Sequence, residues 1–83
     1  MMIKEMKSFD DLRAALMIPE GGSFFEHATA AMKQGRFKMD YFKKAKAHFE
    51  ALLASHKMIV WEAVDLRGHL HLLDEVIAGE KSW

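Results

Sequence analysis

A seven-residue repeat runs through the second half of this 83-residue chain and constrains its fold more than any other feature. One set of positions holds Phe42, Phe49, His56, Ala63, Leu70 and Ile77, and the other holds Ala45, Leu52, Ile59, Leu66 and Leu73. Ten of these eleven positions are apolar, and Leu53 and Val60 widen the stripe. Apolar residues that alternate spacings of three and four share one face of an α-helix, so the pattern predicts helix and excludes strand.

Residue choice points the same way. Ala, Leu, Met, Glu, Lys, Gln and Arg supply 46 residues, whereas Val, Ile and Thr supply eight. The first group loses little side-chain freedom in a helix. The expected fold class is all-α, in a single helical domain over residues 1–83, because so short a chain has no room for a second core.

Helix length sets the next constraint. An unbroken helix over residues 40–78 would be about 58 Å long at about 1.5 Å per residue. A compact monomer of this size has a radius of gyration of about 12 Å, hence a diameter near 30 Å. Either the helix breaks or the molecule is an elongated oligomer. Gly68 is the strong breaker within the run, and Ser55-His56-Lys57 is a weaker one, where folding back would give a compact four-helix monomer. The expected architecture is a small helical bundle with two short N-terminal helices plus a long C-terminal helix kinked or broken near Gly68.

Met58, Ile59, Val60, Trp61, Ala63, Val64 and Leu66 surround that helix on nearly every side. A helix apolar all round needs cover on more than one flank. Two short helices can supply one flank, and a second copy of the chain is the simplest source of the other. A homodimer is therefore expected through the stripe Phe42, Phe49, Leu52, His56, Ile59, Leu66, Leu70 and Leu73. His56 is either the polar position of that seam, fixing register or responding to pH, or a histidine at a helix end that simply reaches water, and the second reading is preferred.

The N-terminal half is punctuated by turns. Ser8 with Asp10 and Asp11 reads as a helix start, because its hydroxyl can accept from a first-turn amide and the acids suit the helix dipole. Leu12 and Leu16 would share its buried face, and Pro19 requires the helix to end by Ile18. Ser23-Phe24-Phe25-Glu26 has the Ser-x-x-Glu form of a capping box, opening a second helix that Gly35 stops. Phe25, Ala28 and Met32 form the expected apolar stripe of this helix. Asp40 is the expected N-cap of the third.

Net charge is zero, but its distribution is uneven. Residues 33–56 carry six basic and two acidic side chains, while the segments on either side each carry three basic and five acidic. Lys33, Arg36, Lys38, Lys43, Lys44 and Lys46 form a basic band with Phe37 and Tyr41 interleaved. One reading of the band is a phosphate-contacting surface of a nucleic-acid-binding regulator. The helix-turn-helix template fits at Ala31 before the Gly35 turn and fails at Lys44, where it wants an apolar residue.

Other chemistries find little to stand on. The absence of cysteine excludes disulfides, thiol nucleophiles and thiolate metal sites. No two of the five histidines are four apart and no Glu-x-x-His occurs, so no metal site is expected; Glu62, Asp65 and His69, or His71 with Glu75, come nearest. No phosphate loop, dinucleotide fingerprint or nucleophile elbow is present, and neither an enzyme nor a cofactor is expected. Apolar runs fall far short of the roughly 20 residues of a membrane span. The acidic, interrupted start predicts no leader, and a cytoplasmic location is expected.

Trp61 lies away from the main stripe and Trp83 stands at the last position; with Phe37 and Met39 they are candidate anchors for a partner protein. Ala45…Phe49…Leu52 resembles the second-helix spacing of a tetratricopeptide repeat, but nothing recurs at that family's period of about 34 residues. The functional expectation is a small non-enzymatic helical protein-interaction or regulatory module of the adaptor or stoichiometric-inhibitor type. The nucleic-acid regulator is the alternative.

Overall fold

The computed structural model describes residues 2–55 and 57–79. Among these residues the chain forms a 3-10 turn at Ile3–Glu5 and four α-helices, α1 (Phe9–Ala15), α2 (Phe24–Lys33), α3 (Met39–Ala54) and α4 (Val60–Ala78), with no strand. The fold is all-α.

Local chemistry sets where the helices begin. At α1 the Asp11 carboxylate accepts from the backbone N–H groups of Lys7 at 2.7 Å and Ser8 at 3.2 Å. At α2 the Ser23 hydroxyl accepts from the N–H of Glu26 at 3.3 Å, one half of the expected capping box. The third helix starts after Lys38, not at Asp40. Asp40 lies inside its first turn, where the helix dipole favours a carboxylate, and it pairs with Lys44 at 3.1 Å.

The ends of α1 and α2 share one geometry. After α1 the N–H of Met17 donates to Ala14 and that of Ile18 to Arg13; after α2 the N–H of Gly35 donates to Met32 and that of Arg36 to Ala31. Both are paired, left-handed terminations that satisfy carbonyls left open by the helix. Gly35 takes φ 74° without a side chain to clash, but Met17 takes φ 59° with one.

The long helix expected over residues 40–78 is two helices. It breaks after Ala54, where Ser55 caps α3, and resumes at Val60; Gly68, the expected break, is an ordinary residue inside α4. Length explains the correction. Breaking at 55–59 gives helices of 16 and 19 residues, about 24 and 28 Å long. Both fit a molecule measuring 36 × 29 × 24 Å, whereas a break at Gly68 would leave one helix of about 40 Å. Ser55 completes the stop, its hydroxyl donating to the Leu52 carbonyl at 2.7 Å.

After the turn, α4 packs back against α3 and also against α2. Phe42, Ala45 and Phe49 of α3 meet Leu66, Leu73 and Val76 of α4 in one core, joined by Phe24, Ala28 and Ala31 of α2. The buried face of α2 is therefore turned from the expected one, leaving Phe25 and Met32 half-buried. Met6, Phe9, Leu12 and Leu16 close the core from the N-terminal side. The radius of gyration is 12.3 Å, which matches one compact chain of this length.

The heptad stripe is thus covered in part by the chain itself. Phe42, Ala45, Phe49, Leu66 and Leu73 are buried, and Leu52, Ala63, Leu70 and Ile77 are half-buried; Ile59, in the turn, is exposed. Within one chain its two arms pack on one another across the α3–α4 turn. His56 lies outside the described residues.

Candidate functional site

Two surface features remain once the core is closed. The first is an apolar ridge where α4 begins. Ile59, Val60, Trp61 and Val64 are exposed to 62%, 73%, 78% and 52% of their areas. Val60 and Val64 are one turn apart and Trp61 stands beside them, so the three share the outer face while Leu66 on the inner face is buried. Scattered exposed apolar residues are ordinary, but four large ones within six positions form a patch.

The second feature is an open groove of about 980 Å³ between the N-terminal 3-10 turn, the α2–α3 connection and the outer face of α3. Ile3, Phe37, Tyr41 and Ala47 give it an apolar floor. Lys4, Arg36, Lys38 and Lys44 stand around it, against the single carboxylate of Asp40. The rings of Phe37 and Tyr41 lie 4.9 Å apart and tilted, and both pack against the buried Phe42. The Arg36 guanidinium sits over the Phe37 ring at 5.8 Å. Burial pushes the Tyr41 hydroxyl above its ordinary pKa, because a phenolate would lose hydration there.

One wall of the groove depends on a long-range hydrogen bond. The His48 Nε2–H donates to the Met6 carbonyl at 2.7 Å, fastening the segment after the 3-10 turn to α3. With the buried Met6 side chain, this bond holds Ile3 and Lys4 beside the α2–α3 connection.

The expected basic band is divided by the fold. Arg36, Lys38 and Lys44 reach the groove, whereas Lys33 and Lys43 are exposed outside it. Lys46 is directed at α4 and pairs with Asp74 at 2.6 Å, which raises the lysine pKa chiefly through that hydrogen bond and its accompanying charge attraction. Of the expected partner anchors, Trp61 is on the ridge, Phe37 is in the groove floor, and Met39 is half-buried at the start of α3. Trp83 lies outside the described residues.

His27, His48 and His69 serve packing and hydrogen bonding. His69 stacks on Phe9 at 4.6 Å, and the His27 Nδ1–H donates to the Ser23 carbonyl at 2.8 Å. Among the described residues no three His, Asp or Glu side chains are grouped to hold a metal ion, and no helix is long and apolar enough to cross a membrane.

The sequence pattern caught the cations of the α2–α3 connection but missed Lys4 and His48. Nothing local links residues 3–4 to residues 35–48, and only the folded chain sets them side by side. A scan of family models finds no match to this chain, nor does a comparison with curated proteins or with solved structures.

Proposed function

We propose that this chain is a small, non-enzymatic helical protein-interaction module, of the adaptor or stoichiometric-inhibitor kind, that docks on another protein through the start of α4. The supporting observation is the ridge of Ile59, Val60, Trp61 and Val64, left exposed by a chain whose remaining large apolar residues mostly enter the core. A tryptophan among branched aliphatic residues has the composition of an interface centre, where a few side chains carry most of the affinity. Pairing of two copies is proposed through Ile59 of the heptad stripe and the ridge beside it, the part of the α4 face that the chain leaves exposed.

Trp61→Glu tests the reading. Since Trp61 is exposed, the substitution should change stability by no more than about 0.5 kcal/mol. It should abolish self-association seen by light scattering and the retention of any protein that copurifies with the native chain. Unchanged mass and unchanged retention in Trp61→Glu would overturn the proposal.

The competing reading is a nucleic-acid regulator using Lys33 to Lys46. It is supported by the local excess of cations, but two of the six are in ion pairs with carboxylates. A duplex-DNA titration over a salt series separates the readings, since phosphate contacts lose affinity steeply as added salt reduces the gain from counterion release.

A further inference from the structure

We propose that the groove between the N-terminal turn and α3 binds an acidic peptide segment carrying a large apolar anchor. The anchor side is set by the floor, where Ile3, Phe37 and Tyr41 are half-buried against the core and leave the rest of their apolar surface open to the groove. The acidic side is set by charge complementarity. Lys4, Arg36, Lys38 and Lys44 face the groove against Asp40 alone, a local excess of three positive charges on a chain whose net charge is zero.

The placement of these cations favours a segment over a small anion. They come from three separate parts of the chain, the N-terminal turn, the α2–α3 connection and α3, so a ligand that spans the open trough can meet them from several sides. A peptide with several carboxylates can meet them together while its anchor fills the floor. Protein partners are commonly captured in this way, by an apolar contact with charges fixing the register.

The aromatic rings argue against a nucleic acid in the same place. Single-strand binding uses open ring faces on which bases stack. Here Phe37 and Tyr41 are tilted against each other and against Phe42, and Arg36 covers part of Phe37. The groove is distinct from the ridge, whose residues take no part in lining it, so the two surfaces can be tested separately.

The probe is a capped, fluorescently labelled synthetic peptide alternating glutamate with leucine around a central tryptophan, titrated with the full-length protein. Saturable binding is expected that weakens with salt and perturbs the backbone amides of residues 35–48 in nuclear magnetic resonance spectra. Arg36→Glu with Lys38→Glu, both exposed positions, should weaken it about tenfold or more while leaving the thermal transition in place. Replacing the peptide's tryptophan by alanine should also weaken it, and Trp61→Glu in the protein should not. The proposal is overturned by absence of saturable binding, by equal binding of the lysine-for-glutamate peptide, or by unchanged affinity after the double charge reversal. Tighter binding of a single-stranded DNA of matched charge would assign the groove to nucleic acid instead. Self-association lost on the double reversal would assign it to a second copy.

Discussion

Met17 and Gly35 occupy equivalent positions, each the left-handed residue that ends a helix, and the contrast between them isolates a local energy. A side chain in this conformation crowds the neighbouring carbonyl and costs about 1–2 kcal/mol, which glycine escapes. Met17 also exposes 78% of its area, so its side chain recovers little by packing. Met17→Gly should therefore stabilise the fold by about 1 kcal/mol, read as a higher denaturant midpoint with unchanged slope. A lower midpoint would mean that the methionine side chain holds the turn. The sequence marked the stop before Pro19 but not the residue that makes it, because a methionine carries no signature of a positive φ. Gly35 was legible for the opposite reason.

At the scale of elements, the heptad repeat contained the buried Phe42, Ala45, Phe49, Leu66 and Leu73 but not Val76, and it could not say what they are buried against. A spacing of three and four is the same whether an apolar face meets a second molecule or folds back on its own continuation. Phe42 and Phe49 on one arm and Leu66 and Leu73 on the other keep register through the turn, so the stripe reads as one helix although the chain reverses. The break itself was faintly written, in Ser55 and the polar residues after it, and the stronger breaker at Gly68 drew the assignment away. Gly68 is inside α4, where an added Cβ would meet nothing within 4 Å. Gly68→Ala should thus raise stability by about 0.8–1 kcal/mol through helix propensity alone, measured by thermal or denaturant unfolding. Destabilisation by alanine would restore Gly68 as a required kink.

For the whole molecule, Tyr41 and Lys46 both bear on the alkaline limit of stability. Tyr41 holds its proton more firmly in the folded state because of burial, and Lys46 because of Asp74. Each folded pKa is raised above its unfolded value, so each contribution is complete below that unfolded value and disappears as pH rises through the folded one. The fold should accordingly hold its stability up to about pH 10 and lose it progressively above. Melting temperatures across an alkaline series check this, and Lys46→Met should flatten part of the decline. The all-helical fold and its single core were readable before the chain was folded. The groove was not, because its sides come from opposite ends of the first forty-eight residues. The imidazole of His48 and the carbonyl it holds are 42 positions apart. That wall is therefore tied on by one imidazole together with the buried Met6 side chain, a narrow seam between the start of the chain and its third helix.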